Sequence, residues 1–322
     1  MNLQTKISLK KSSSHLIDYS SKVFLVGSCF SENIGDKLAY FKFQTEQNPF
    51  GILFHPLAIK TLISRAISKE HYTDADVVFH NEQWHGFDAH SKLSNVSKEQ
   101  LLQTLNTRLK ETYNDLKSAS HLVITLGTAW VYRYNETNQV VANCHKIPQK
   151  QFSKSLLSVQ EICEVLKSIE AQVRGLNEEI SIIYTVSPVR HLKDGFVENN
   201  RSKAHLTSAI HQLLEEKASL KQSNSFYFPS YEIMMDELRD YRFYAEDMVH
   251  PNALAVQYIW NTFASNWISN EALKTMDVVD GIQKGLQHRP FNEKSEAHQK
   301  FLQQLDSKIA EIQDRFRHMT FK

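Results

Sequence analysis

Two short runs in this chain carry residues whose types and spacing could do chemistry. One is Gly27-Ser28-Cys29-Phe30-Ser31, and the other is Asp247-Met248-Val249-His250-Pro251. A serine hydroxyl is a weak nucleophile until a base takes its proton. An aspartate three residues before a histidine can fold back onto one imidazole nitrogen. That fixes the tautomer and stabilises the cation formed when the other nitrogen accepts the serine proton. The spacing thus offers Ser28 as nucleophile, His250 as base and Asp247 as the group that orients the base. Each run also has a plainer reading. A serine after a strand commonly caps a helix, and Asp-x-x-His commonly makes a capping turn. Cys29 is a second candidate nucleophile. Adjacent residues at a strand end point in different directions, so only one of the two can face His250.

The surrounding pattern shows what must position these residues. Val23 to Gly27 is a short apolar run ending in glycine, followed by Ile34, Leu38 and Phe41 at helical spacing. Ser28 therefore falls at a strand-to-helix junction, where its hydroxyl is expected to be exposed and nearby N–H groups to face an anion. His121 to Gly127, Ile180 to Val186 and Ser225 to Phe228 read as further strands. Helices are expected from Pro56, from Ser97, from Ser158 to Gly175, through Leu206 to Leu214, and from Pro251, which opens a helix right after the Asp247–His250 turn. Val77–Phe79 with Trp84–Phe87, and Val131–Tyr134 with Gln139–Ala142, read as hairpins, the second turning at Asn135 to Asn138. Continuous apolar strands alternating with amphipathic helices predict a parallel sheet covered on both faces, an α/β fold. Such sheets bind ligands beyond the carboxyl ends of their strands, which is where Ser28 and the segment after the Ser225 strand fall.

Composition narrows the partners. The 322 residues hold 37 Lys and Arg against 36 Asp and Glu, for a formal net charge of +1. A nearly neutral chain argues against nucleic acid or an anionic membrane as principal partner. Cys29, Cys144 and Cys163 are odd in number and widely spaced, which excludes a disulfide framework and a C-x-x-C metal or redox motif. No His-rich ligand pattern accompanies the 15 histidines, so no metal and no cofactor is expected. Met1 to Ser14 is polar and lacks the apolar stretch of a signal peptide, and no run reaches membrane-span length. The expectation is a cytoplasmic protein. Beyond residue 270, Phe301, Leu305, Ile309, Ile312 and Phe316 recur at helical spacing. Residues 1–269 are accordingly read as one domain and 270–322 as a helical extension, packed on it or mediating homo-oligomerisation.

Further runs join the first two: Asn48-Pro49-Phe50-Gly51, Leu126-Gly127-Thr128-Ala129, Asn143-Cys144-His145-Lys146, Thr185-Val186-Ser187-Pro188-Val189 and Arg239-Asp240-Tyr241-Arg242-Phe243-Tyr244. In this order, from about residue 23 to 265, the chain resembles the GSCFA family, a branch of the SGNH (GDSL-like) hydrolase superfamily. The resemblance implies a three-layer α/β/α, flavodoxin-like fold and metal-free ester or acyl chemistry. It also implies Ser28 as nucleophile, with Asp247 and His250, and an oxyanion hole made by the N–H groups of Ser28 and Gly51. Two departures stand out. Ser31 replaces the family's usual alanine. Gly127-Thr128-Ala129 replaces a Gly-x-Asn whose Asn side chain would hold the oxyanion. The second hairpin would bring Asn143 back beside Ala129, making it the candidate replacement; its plain alternative is an ordinary turn residue, and Thr128 or a water is the fallback. His145, Lys146, Arg190 and His191 are read as either substrate contacts or solvated surface. The Arg239–Tyr244 run is read as a sugar-type pocket or as a hydrogen-bond network positioning the Asp247 turn.

The resulting expectation is a serine hydrolase for a carboxylic ester of a small molecule or carbohydrate. Deacylation by an alcohol instead of water would make it an acyltransferase. The rivals are a non-catalytic carbohydrate-binding protein on the same scaffold and an assembly protein acting through the C-terminal helix.

Overall fold

The computed structural model describes residues 5–9, 11, 14–219 and 224–321. The N-terminal stretch read for a signal peptide lies partly outside the described residues. Five strands form the central sheet: β1 (Lys22–Gly27), β2 (Gln44–Gln47), β5 (His121–Leu126), β9 (Ser181–Val186) and β10 (Ser225–Phe228). All pair in parallel, in the order β10-β9-β5-β1-β2. This is the flavodoxin-like order, and its switch point lies between β1 and β5.

Strand alternation feeds two cores. Phe24 and Val26 of β1 point into one, with Leu122, Ile124, Ile182 and Tyr184. Val23 and Leu25 point into the other, with Val123 and Ile183. The first core is covered by α2 (Pro56–Ser68), α3 (Lys98–Ser118), α4 (Val159–Leu176) and α5 (Phe196–Ser219). The second is covered by α1 (Cys29–Tyr40) and α7 (Ala253–Trp267), and by α8 (Asn270–Gln287) and α9 (Glu296–Arg315) of the C-terminal segment. Helices on both faces of the sheet make the three-layer α/β/α architecture.

The C-terminal segment packs on its own chain. Met276, Val279 and Ile282 of α8 and Leu305 and Ile312 of α9 are buried in the same core as Val23. The Tyr40 hydroxyl donates to Asp280 at 2.9 Å. No helix among the described residues is long and apolar enough to cross a membrane.

Several boundaries differ from the sequence reading. β2 (Gln-Thr-Glu-Gln) has no apolar residue to announce it; a polar edge strand satisfies its backbone on one side and water on the other. The first hairpin forms as β3 (Val77–His80) with β4 (Gln83–Gly86). The second forms as β6 (Trp130–Tyr134) with β7 (Val140–Val141), in the expected register, and gains a third strand, β8 (Phe152–Leu156), on its other side. Gly175 does not end α4, which runs to Leu176 with Asn177 as C-cap. Pro251 does not open α7; it precedes Asn252, whose side chain accepts the N–H of Ala255 and caps the helix. A short turn α6 (Ser230–Glu232) follows β10 and runs into a wide turn over Ile233–Glu237.

Two glycines separate conformational need from simple tolerance. Gly27 ends β1 at φ +140°, and a methyl on it would lie 2.1 Å from the Thr125 carbonyl oxygen of β5. Gly175 has nothing within 4 Å of that position. Gly27→Ala should cost on the order of 3 kcal/mol, from backbone strain plus overpacking. Gly175→Ala should gain about 0.5 kcal/mol of helix propensity. Urea unfolding of both variants checks the pair.

Candidate active site

Ser28 stands between β1 and α1, at φ −70° and ψ 173°, as the N-cap of α1. Its Oγ accepts the N–H of Phe30 at 3.3 Å, and its own N–H donates to Thr125 O at 3.0 Å, extending the β1–β5 ladder. Ser28 is fully buried, so the expectation of an exposed hydroxyl is corrected. The cover is stitched to both strand ends. Asn48 Oδ1 accepts the Gly27 N–H at 2.9 Å, and the Leu53 N–H donates to Gly27 O at 2.9 Å. Phe54 O accepts the N–H groups of Gly127 and Thr128 at 2.8 and 3.0 Å. Residues 48–54 are thereby held across the mouth between β1 and β5. Cys29 is less enclosed than Ser28. Burial, and then Glu32, raise its thiol pKa against the pull of Lys203. A protonated thiol is a poor nucleophile.

The second run forms a built dyad. Asp247 Oδ1 accepts the N–H groups of Val249 and His250, both at 2.9 Å, and Oδ2 lies 2.6 Å from His250 Nδ1. The backbone N–H of His250 first, then its ring, hold the carboxyl down at about 2. An ionised carboxylate only accepts, so Nδ1 carries the hydrogen and Nε2 is left as the acceptor. Met248, at φ 56°, turns the chain between them. The turn is anchored from two sides. Ala245 N–H donates to His250 O at 2.8 Å, and Arg190 donates its backbone N–H to Val249 O at 3.3 Å and its guanidinium to Met248 O. Both dyad side chains are half exposed, and among the described residues no hydrogen bond joins them to Ser28.

The two backbone amides expected at the oxyanion hole are already engaged. The Gly51 N–H closes a turn onto Asn48 O at 2.7 Å, just as the Ser28 N–H is held by Thr125 O. These two amides therefore do not stand free, because each closes the backbone structure that shapes the mouth. Asn143 arrives opposite Trp130 in the expected hairpin register, yet its Oδ1 accepts the His145 N–H at 2.8 Å. That is the turn role of asparagine, and among the described residues no hydrogen bond links Asn143 to Ser28. Thr128 is occupied too: its Oγ1 pairs with Ser202 Oγ and accepts the Trp130 N–H, both at 3.1 Å.

Other residues singled out by sequence turn out to be structural. His145 is buried against His85, with Nε2 on Gly86 O at 2.8 Å, and burial pulls its pKa to about 4. Lys146 is exposed. The Arg239–Tyr244 run braces the Asp247 turn: Tyr244 bridges to Pro251, and Asn252 Nδ2 donates to Arg242 O at 2.7 Å. Arg190 stacks over Tyr244 at 4.2 Å beside the same turn.

Two more residues stand at the mouth: Lys203, which the sequence reading missed, and His191, which it read as a substrate contact or solvated surface. Lys203 of α5 is fully buried, and its Nζ donates to Gly127 O at 2.8 Å and Ser187 O at 2.7 Å, tying the ends of β5 and β9. Its one visible signal is helical spacing with Asn199, Leu206 and Ile210, which places a charge on the buried face. His191 has a buried Nε2 with no partner.

Two family models match the chain. The GSCFA family covers residues 22–263, and the GSCFA domain protein, C-terminal domain, covers 279–322. No curated protein matches it.

Burial pulls Lys203 from 10.5 down to about 7. Between these values the unfolded chain binds the extra proton, so stability rises with pH across that window and is flat below it. Lys203→Met removes the titration and leaves two buried carbonyls short of a donor, at about 1–3 kcal/mol each. The stability difference between wild type and variant should therefore grow from pH 7 to pH 10. Urea unfolding at pH 6 and pH 9 measures it; equal differences at the two would show an amine not perturbed by burial.

Proposed function

From the premise that the chain belongs to the GSCFA family, we propose that it is a serine hydrolase for carboxylic esters. Ser28 is the nucleophile, His250 the base and Asp247 the orienting acid. The observation that carries this reading is the built Asp247–His250 dyad, whose carboxylate is fully hydrogen-bonded and whose Nε2 is left as acceptor. It is anchored through Arg190 to the chain leaving β9, two strands from Ser28 at the switch point.

The chemistry runs in two halves. The Ser28 oxygen bonds to the ester carbon, the carbonyl electron pair moves onto its oxygen, and the Ser28 proton passes to His250 Nε2. Collapse reforms the carbonyl, breaks the ester C–O bond and returns that proton to the leaving alcohol. Water then attacks the acyl-enzyme by the same route and regenerates Ser28. An alcohol in place of water gives acyl transfer. Ser28 is fully buried, so an ester reaches it only when the residues that cover it move.

The enclosure of Ser28 and its N-cap bond also favour a second reading, a binding protein in which serine and dyad are purely structural. Kinetics on p-nitrophenyl acetate separate the two. For a hydrolase, Ser28→Ala and His250→Ala should each lower kcat by about 10³-fold or more, and Asp247→Asn by a comparable factor, with little change in KM. Equal residual turnover in wild type and Ser28→Ala would favour the binding protein.

A further inference from the structure

The oxyanion is the unfinished part of the site. Ala129 has no donor, the Ser28 and Gly51 amides are engaged, and Asn143 and Thr128 serve their own turns. Two side-chain nitrogens buried at the mouth have no hydrogen-bond partner, Asn48 Nδ2 and His191 Nε2; the second flanks Ser28 across Gly127. A methyl built on Gly127 would lie 3.0 Å from Phe54 O, 3.2 Å from His191 Nε2 and 3.3 Å from Ser28 Cβ, so His191 Nε2 and Ser28 flank the Gly127 α-carbon at the switch point. Nε2 is buried and has no hydrogen-bond partner. A buried polar atom left unpaired costs about 1–3 kcal/mol, and such atoms persist where function uses them. The ring is also held firmly. It stands edge-on to Phe54 at 5.3 Å, and the His191 backbone N–H donates to Asn199 Oδ1 at 2.8 Å.

We propose that the Nε2–H of His191 is the side-chain donor to the oxyanion that forms when Ser28 attacks an ester carbonyl. This rests on the hydrolase reading and goes beyond it by assigning a catalytic residue. The donor gives a hydrogen bond and transfers no proton. The proton of Ser28 goes to His250, and the carbonyl electron pair resides on the oxygen until collapse returns it. Protonation states keep the two histidines apart. Burial first, then the charges of Lys203 and His250, pull the His191 imidazole down to about 3. It stays neutral across the working range, too weak a base to compete with His250. A neutral imidazole can still donate from one nitrogen, as other enzymes use it to polarise a carbonyl. The arrangement replaces the lost asparagine with a ring that reaches the switch point from the β9 side.

Two measurements test it. With p-nitrophenyl acetate, His191→Leu should lower kcat by about 10²–10³-fold at nearly constant KM, the usual worth of one oxyanion donor. His191→Gln, which keeps an N–H donor, should recover part of that loss. The second uses the wild-type protein with ¹⁵N-labelled histidine. Adding an aryl trifluoromethyl ketone, which forms a hemiketal oxyanion on Ser28, should move the His191 Nε2–H resonance downfield. Full kcat in folded His191→Leu, or an unmoved resonance on a Ser28 adduct, overturns the His191 assignment while leaving the hydrolase intact. Absence of Ser28-dependent turnover and of any adduct overturns both.

Discussion

Everything at the candidate site depends on how closely β1 and β5 approach at their carboxyl ends. The Gly27 α-carbon lies so near the Thr125 carbonyl that no side chain fits, and Gly127 is crowded by Phe54, His191 and Ser28. Because the strand order reverses at this pair, the chain leaves β1 toward one edge and returns to β5 from the other side. The backbone groups that diverge there would be orphaned without partners. Residues 48–54 supply them, through Asn48 Oδ1, the Leu53 N–H and Phe54 O. The hydrogen bonds that stabilise the switch point thus also hold residues 48–54 over Ser28.

The charges around this point divide by burial. The Asp247–His250 dyad is half exposed. Lys203 and the His191 ring nitrogen Nε2 are buried, and burial drives both groups toward their neutral forms. Larger buried networks elsewhere are structural. Arg65 reaches Asp76 and Asp88 and stacks on Tyr72, and Glu170 receives Tyr184 and Ser225; these pin α2 and α4 to what they pack on.

Much of this was legible in the sequence because it follows from periodicity and local chemistry. The continuous apolar runs of β1, β5 and β9 announced a doubly covered parallel sheet. The Asn135–Asn138 turn fixed the register of the second hairpin, and Asp-x-x-His closed as its spacing requires. What was missed depends on contacts distant in sequence. The polar edge strand β2 has no pattern to read. Lys203 looks like any surface lysine until α5 turns it inward. Whether Ser28 is open or covered is decided by residues 48–54, over twenty positions away. Among the expected oxyanion donors, the Ser28 N–H is taken across the sheet by Thr125 O, whereas Gly51 and Asn143 close local turns, Gly51 N–H onto Asn48 O and Asn143 Oδ1 accepting from the His145 N–H.

Ser28, and not Cys29, is proposed as the nucleophile served by the Asp247–His250 dyad. The most direct test is to treat the protein with a fluorophosphonate and locate the modified residue by peptide mass. The account predicts one adduct per chain, on Ser28, formed far more slowly in His250→Ala. An adduct on Cys29, or none on Ser28 while a known serine hydrolase labels alongside, would contradict it.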